Sequence, residues 1–177
     1  HQGRTVVGRS ARSILNEVEA LAADPDFPGT LEDLGGPSAN MYGLGCTDPE
    51  QEARCRRRSC LWPRPCKLLR TEPDEWLDLL ARARALRGVR QVRVASGVRM
   101  DLLMRHRRAL ETLARHHVGG QLKVAPEHDR KAPLAAMRKP EPGLLRRFKR
   151  AFDRASSDAD HRQFLVPYLI SGHPGTT

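Results

Sequence analysis

The chain has 177 residues and a net charge of +10, and it contains no apolar run near the roughly 20 residues that a membrane-spanning helix needs. The length suffices for one domain with its own core, and we expect a cytoplasmic protein with no membrane partner. The excess of 31 Lys and Arg over 21 Asp and Glu permits nucleic-acid binding. Because few aromatic residues accompany the basic clusters, a nucleic-acid partner stays an alternative that we do not favour.

The first part of the chain predicts a helix, a strand and an irregular segment. Ser10 is a suitable N-cap for the helix, whose buried face is predicted from apolar residues at helical spacing, namely Ile14, Leu15, Val18 and Leu21. Residues 30–34 predict a short strand that runs into Gly35 and Gly36. Residues 40–70 predict no regular structure and contain all four cysteines.

Helices and strands alternate in the rest of the chain. Pro73 can open a helix at its first turn, with Trp76, Leu79, Leu80, Ala83 and Leu86 on its buried face. Further helices are predicted at 99–116, 131–138 and 143–155, and further strands at 91–95, 121–125 and 164–170. This alternation predicts an α/β fold with a parallel sheet and right-handed crossovers.

Each predicted strand is followed by a polar or glycine-rich segment. These segments are Gly35-Gly36, Ser96-Gly97, Glu127-His128 and Ser171-Gly172-His173. In α/β folds the carboxyl ends of parallel strands build the ligand site. A carboxylate and an imidazole can orient a ligand or move a proton. A hydrogen-bonded loop pair explains Glu127 and His128 equally well, and a plain turn residue explains His173.

The four cysteines form a separate candidate site. Cys46, Cys55, Cys60 and Cys66 follow the spacing C-x8-C-x4-C-x5-C in an Arg-rich segment with little apolar content. Four thiolates suit tetrahedral zinc or an iron–sulfur cluster, and a bound metal supplies order that a core does not. Reduced structural or redox-active cysteines are the alternative. Disulfides are less favoured because nothing else in the sequence is typical of a secreted protein.

Several longer strings in the sequence resemble the YgiQ-type radical S-adenosylmethionine (SAM) family. They include residues 8–10, 33–42, 94–99, 116–120, 122–128 and 167–175, together with the run from Cys46 to Cys66. They occur in the family's order from His1 to Thr177. The resemblance implies that residues 1–177 form an incomplete radical SAM core domain with an irregular Cys-rich insertion at about 40–70. That core would be part of a partial (β/α)6 barrel of parallel strands, with the first strand missing.

The resemblance also implies cofactors and a reaction. Members of the family hold a [4Fe–4S] cluster on a C-x3-C-x2-C loop, and SAM binds the free iron site. Reductive cleavage of SAM gives methionine and a 5′-deoxyadenosyl radical, which takes a hydrogen atom from a substrate that is unknown here. A reductase would supply the electron. The C-x3-C-x2-C loop is absent from these residues, so the fragment alone is expected to be inactive, and the four cysteines present would form an accessory zinc or iron–sulfur site.

The family's SAM-binding positions can be transferred to part of this sequence. Gly35 and Gly36 fall where a Gly-Gly-Glu turn commonly holds the SAM amino group, although Pro37 replaces the acid. Ser96 and Arg99 are expected at the SAM ribose or carboxylate, since Arg binds carboxylates through a two-pronged fork. The residues expected at SAM or substrate from later strand ends are Lys123, Glu127, His128 and His173. The alternatives to this enzyme are a zinc- or cluster-binding interaction module centred on Cys46–Cys66 and a basic RNA-binding protein.

Overall fold

A computed structural model describes residues 8–34 and 38–176. The helices in these ranges are α1 (Ala11–Ala22), α2 (Pro49–Arg54), α3 (Asp74–Ala85), α4 (Met100–Leu103), α5 (Arg107–His117), α6 (Lys131–Ala136) and α7 (Leu144–Ala155). The strands are β1 (Thr30–Glu32), β2 (Gln91–Arg93), β3 (Gln121–Glu127) and β4 (Phe164–Leu169). The predicted mixture of helices and strands is confirmed. None of the helices in the described ranges is long and apolar enough to cross a membrane.

The strands are parallel, as the alternation of elements predicted. Strand β1 pairs with β2, with Leu31 opposite Val92, and β3 pairs with β4, with Leu122 opposite Leu165. A single parallel bridge between Val98 and Val124 joins the two pairs. Within the described ranges the strands therefore follow one another in chain order and do not close into a barrel.

The core lies between the helices and one face of these strands. Helix α3 buries Trp76, Leu79, Leu80 and Ala83, as its apolar spacing predicted. The fully buried large side chains also include Val92, Leu113, Leu122, Val124, Phe148 and Phe152. On β3 the buried residues alternate with more accessible ones, so the other face of the strand remains available to polar side chains.

The predicted helix 99–116 is wrong as a single element, because it is interrupted between α4 and α5. His106 leaves helical geometry with φ −126° and ψ 79°, and its carbonyl then accepts from the N–H groups of Ala109 and Leu110 at 3.0 and 3.2 Å. A new helix begins at that point. The expected burial of Leu21 on α1 is also wrong, since this residue in the last turn is 45% exposed.

Two further differences concern short elements. Residues 40–70 are largely irregular but contain helix α2, which Asp48 caps by accepting from the N–H of Gln51 at 2.9 Å. Strand β3 continues past the predicted end at residue 125 to Glu127, with a register shift between Val124 and Glu127. Pro126 lies inside that shift and has no N–H to donate to a neighbouring strand.

Candidate functional site

A broad open groove lies at the carboxyl ends of the strands and has a volume of about 2810 Å³. Residues that follow all four strands line it, including Asp33, Arg99, Glu127, His128 and Ile170. The four cysteines line the same groove from the segment between β1 and α3. The groove therefore brings three of the residues predicted at strand ends, Arg99, Glu127 and His128, together with the predicted cysteine site.

Asp33 joins the ends of β1 and β2. Its carboxylate accepts from the backbone N–H groups of Ala95 at 2.8 Å and Ser96 at 2.6 Å, and its own N–H donates to the Arg93 carbonyl at 2.9 Å. The residue adopts a left-handed conformation with φ 65°, which Asp tolerates better than most residues. Asp33 thus fixes the loop after β2, which leads to Arg99.

Asn40 holds the backbone of Arg99. Its side-chain oxygen accepts from the Arg99 N–H at 2.7 Å, and its side-chain nitrogen donates to the Arg99 carbonyl at 3.0 Å. The Asn40 residue is only 3% exposed. Burial of an amide side chain costs free energy of folding unless the amide is hydrogen-bonded. The two hydrogen bonds to the Arg99 backbone therefore offset the cost of burying Asn40.

The Arg99 side chain faces Asp101 through two parallel contacts. Nε lies 2.9 Å from Oδ1, and a terminal nitrogen lies 2.9 Å from Oδ2. The two side chains are 21% and 20% exposed, respectively. This geometry orients the guanidinium while leaving other N–H groups of the fork for a ligand anion.

Glu127 and Lys139 form an ion pair on the β3 side of the groove. The Lys139 ammonium donates to Glu127 at 3.1 Å and to the Ala125 carbonyl at 3.2 Å. Glu127 has φ 69° and lies at the end of β3, after the register shift that contains Pro126. The pair presents one negative and one positive group to the groove.

His128 connects the ends of β3 and β4. Its Nδ1 accepts from the Arg130 N–H at 2.9 Å, and its Nε2 lies 3.2 Å from the Thr176 hydroxyl. Asp129 lies 3.5 Å from the same Nδ1. Since Nδ1 already accepts a hydrogen bond, we assign the ring proton to Nε2, which donates to Thr176 and not to Asp129. The side chain is 9% exposed, so its orientation is well defined by these contacts.

Three of the other predicted strand-end residues lie outside the groove. Ser96, Lys123 and His173 are described by the structure but do not line the groove. His173 makes a local contact, in which Nδ1 donates to the carbonyl of Pro174 at 2.8 Å. Gly35 and Gly36 lie outside the described residues, so their predicted contact with SAM stays a prediction.

Three residues that line the groove, Asp33, Asp101 and Lys139, were not predicted from the sequence, and neither was the buried Asn40 that holds the Arg99 backbone. Asp33 and Asn40 lie within the family-like string 33–42, which marked the segment without giving either residue a role. Asp101 is two residues from Arg99, and this spacing does not by itself predict a contact between the two side chains. Lys139 meets Glu127 across 12 residues, and no local pattern connects them.

His117 has a structural role at the end of α5. Its Nδ1 donates to the Val92 carbonyl at 2.8 Å, and its own carbonyl accepts from the Val94 N–H at 2.8 Å. Burial lowers the pKa of His117 below that of an ordinary histidine, against the opposing effect of the Val92 hydrogen bond, and Arg84 lowers the pKa further. The side chain is therefore neutral at pH 7 and ties α5 to β2.

The cysteine segment is organised by backbone contacts. Cys46 forms an antiparallel bridge with Leu69, and the Cys66 N–H donates to the Cys60 carbonyl at 2.7 Å. The Arg57 guanidinium donates to the carbonyls of Ser59 at 3.3 Å and Arg64 at 2.9 Å. These contacts fold the segment back on itself. They are not supported by a core, because no residue from 43 to 71 is buried.

The Cys60 thiol is affected by burial and by neighbouring charged groups. Partial burial raises the pKa of the Cys60 thiol, Cys66 and Cys55 raise it further, Arg57 lowers it, and Cys46 has a smaller raising effect. All four cysteines are free thiols. As the side chains stand in the described ranges, no three Cys, His, Asp or Glu residues are close enough to hold a metal ion. The predicted metal site at these cysteines therefore stays a prediction.

The described residues define an α/β chain whose groove is built at the carboxyl ends of parallel strands, the usual place for a ligand in such folds. No protein-family model matches the chain. Its whole length is nevertheless similar to part of several curated bacterial proteins. It is 51% identical over 178 residues to a UPF0313 protein of Vibrio vulnificus, an alignment that covers 100% of this chain and 23% of that relative.

Two further relatives give the same result. The chain is 48% identical to the UPF0313 protein YgiQ of Escherichia coli, with 99% of this chain and 24% of that protein covered. It is also 48% identical to a UPF0313 protein of Vibrio cholerae, with 99% of this chain and 22% of that protein covered. These similarities support the YgiQ family along the whole chain. The chain spans about a quarter of the length of these relatives, and their names state no activity.

Proposed function

We propose that this chain is part of an enzyme that binds SAM and cleaves it reductively, with the strands forming part of a (β/α)6 barrel. The observation that supports this most directly is the position of Arg99, whose backbone is held by buried Asn40 and whose guanidinium is oriented by Asp101. The support for SAM in particular is the family resemblance of the strings that contain these residues.

The groove residues are compatible with such a ligand. The groove has a volume of about 2810 Å³, which exceeds that of typical small-molecule sites, so its size accommodates a nucleoside-sized molecule. The remaining N–H groups of Arg99 suit the SAM carboxylate. The Glu127 carboxylate suits a ribose hydroxyl or the SAM amino group, and Lys139 holds it in place.

The chemistry would need groups that these residues do not provide. When bound, an iron–sulfur cluster with SAM supplies a 5′-deoxyadenosyl radical after one-electron reduction. The residues described here would bind and orient SAM. His128 would hold a proton at Nε2 beside Thr176. The cluster-binding cysteines and a reductase would come from outside these residues.

Anaerobic SAM binding by the full-length protein tests the proposal. Replacement of Arg99 by Ala removes a charge-assisted contact of about 1.5–3 kcal/mol, and we expect SAM binding to weaken roughly 10- to 150-fold. Arg99→Lys keeps the charge without the fork and should give an intermediate affinity. Arg108→Ala, on the exposed side of α5, is the matched control. Unchanged affinity in Arg99→Ala refutes the role of Arg99.

The reaction itself is tested by product analysis. The full-length protein, reduced in the presence of SAM, is expected to form 5′-deoxyadenosine, and Arg99→Ala should slow its formation in parallel with the loss of SAM affinity. Absence of both SAM binding and 5′-deoxyadenosine in a protein that contains its iron–sulfur cluster would overturn the proposed function.

A further inference from the structure

Helix α7 carries its apolar and its charged residues on opposite faces. Leu144, Phe148 and Phe152 are buried, and the helix packs against α4 and α5. The exposed residues of α7 are Arg146, Arg147, Lys149, Arg150, Asp153 and Arg154. Five of these side chains are positive and one is negative, so this face has a formal charge of +4, a large share of the +10 of the whole chain.

Most of the positive charge on this face has no acidic partner. The Lys149 ammonium is the exception, because it lies 2.6 Å from the Asp153 carboxylate. The remaining four residues form no ion pair with any of the described residues. We call these four residues the α7 arginine row: Arg146, Arg147, Arg150 and Arg154.

The arginine row destabilises its own helix. Arg146, Arg150 and Arg154 follow one another at four-residue spacing, about 6 Å apart along the helix axis, and like charges at that spacing repel. Arg146 and Arg147 also lie in the first turn, which contains no acidic residue, although the helix dipole disfavours cations there. A polyanion bound along the row would remove both penalties, so the row suits such a partner.

The chemistry of the face favours phosphate groups. Guanidinium groups bind phosphate through two parallel N–H donors. The exposed large apolar side chains of the described residues are Leu21, Leu68 and four residues between 164 and 170, and none of them lies on α5 or α7. A helix that binds a membrane surface needs an exposed apolar face, and protein interfaces usually have an apolar centre with few charges. Neither description fits this face.

We propose that the α7 arginine row binds the phosphate backbone of a nucleic acid. The shortage of aromatic residues near the basic clusters argues against stacking on bases, but contacts to phosphates need no aromatic ring. The row begins at Arg146, which lines the groove, and continues outside it, since Arg147, Arg150 and Arg154 do not line the groove. This surface therefore does not depend on SAM binding.

Binding of a short single-stranded RNA of mixed sequence to the full-length protein tests the surface. Fluorescence anisotropy over a range of salt concentrations compares the unmodified protein with the triple variant Arg147→Gln, Arg150→Gln, Arg154→Gln. Each phosphate contact contributes about 0.7 to the slope of log affinity against log salt, so the loss of three contacts should reduce the slope by about 2. Between 1 M and 0.1 M salt this difference amounts to roughly 100-fold in affinity.

A matched control removes the same charge from another surface. The triple variant Arg12→Gln, Arg84→Gln, Arg87→Gln changes exposed residues on or just after α1 and α3, and it should keep the slope of the unmodified protein. Equal affinities and slopes in the two triple variants overturn the proposal. Absence of RNA binding by the unmodified protein at 0.1 M salt overturns it as well.

A second α7 variant separates lost charge from damage to the helix. Replacement of the same three arginines by Lys keeps the charges and should retain most of the salt slope, because the slope counts neutralised phosphates. A slope reduced as much by Lys as by Gln would contradict the electrostatic role of the row.

Competition experiments separate a nucleic acid from other anionic partners. Poly-glutamate and vesicles of anionic phospholipid should displace the RNA only at a much higher concentration of charge, and displacement at an equal concentration would refute the assignment to a nucleic acid. DNA of the same sequence should bind with the same slope, and a slope lower by more than about 1 would rule out contacts to phosphates alone. SAM binding should be unchanged in the α7 triple variants, so a failure of the unmodified protein to bind SAM concerns the proposed function and not this surface.

Discussion

Replacement of Asn40 by Ala is expected to loosen the loop that contains Arg99. The change removes two hydrogen bonds, of 2.7 and 3.0 Å, to the Arg99 backbone. Each bond contributes about 1 kcal/mol, and a buried N–H or carbonyl left without a partner costs about 1–3 kcal/mol. We therefore expect a loss of about 2–3 kcal/mol in the local free energy of opening.

Hydrogen exchange of the full-length protein, followed by mass spectrometry, measures this loss of local stability in the segment around Arg99. A decrease of 2–3 kcal/mol corresponds to exchange roughly 30- to 150-fold faster in the peptide that contains Arg99. Asn40→Asp keeps the shape but replaces the N–H donor with an oxygen against the Arg99 carbonyl, so it should be equally damaging. If the carbonyl contact contributed nothing, Asn40→Asp would behave like the unmodified protein.

A matched control is available next to Asn40. Ser38 begins the turn at Ala39–Met41 but makes no side-chain capping bond, so Ser38→Ala should leave exchange at Arg99 unchanged. Equal exchange rates in Asn40→Ala and Ser38→Ala would refute the reasoning, because the buried amide would then not hold the Arg99 backbone.

Two further predictions concern stability. Gly97→Ala should destabilise the protein by about 1–3 kcal/mol, because Gly97 has φ 103° and an added Cβ would lie 3.0 Å from the Lys123 carbonyl. The control is Gly45→Ala, since nothing lies within 4 Å of a Cβ added there. A denaturant titration compares the two variants, and equal midpoints would contradict the prediction. Because burial lowers the pKa of His117 in the folded state, its contribution to stability is complete above the unfolded pKa of about 6.5 and is lost as pH falls below it. His117→Gln should therefore show a flatter pH dependence of unfolding between pH 7 and 5, and an unchanged slope would count against this role.

The order of elements was predictable from the sequence because it rests on local periodicity. The apolar face of α3, the cap at Ser10 and the alternation of helices with strands all appear as expected. The helix break at His106 was not predictable, since the sequence there contains neither Gly nor Pro. Helix α2 was overlooked although Asp48 followed by Pro49 is a recognised helix start.

The sequence predicted the position of the groove more reliably than it predicted the side chains that line it. Parallel strands place their carboxyl ends at one edge, and Arg99, Glu127 and His128 line the groove there. Whether a given side chain lines the groove depends on the alternation of side chains along the strand and on local irregularities. The register shift between Val124 and Glu127 is one such irregularity, and Glu127 lines the groove whereas Lys123 does not. The contacts of Asp33 and Asn40 join residues about 60 positions apart, and no pattern in one sequence reveals such pairs.

The two walls of the groove obtain their order in different ways. Around Arg99, side chains bind backbone groups of a neighbouring loop, and Asn40 is buried while it does so. That wall is therefore preorganised before any ligand arrives, which lowers the entropy cost of binding. The wall formed by residues 43–71 contains no buried side chain, so its order rests on backbone contacts such as the bridge between Cys46 and Leu69. We therefore expect faster hydrogen exchange across residues 43–71 than in the peptide that contains Arg99, and equal protection of the two segments would contradict this difference.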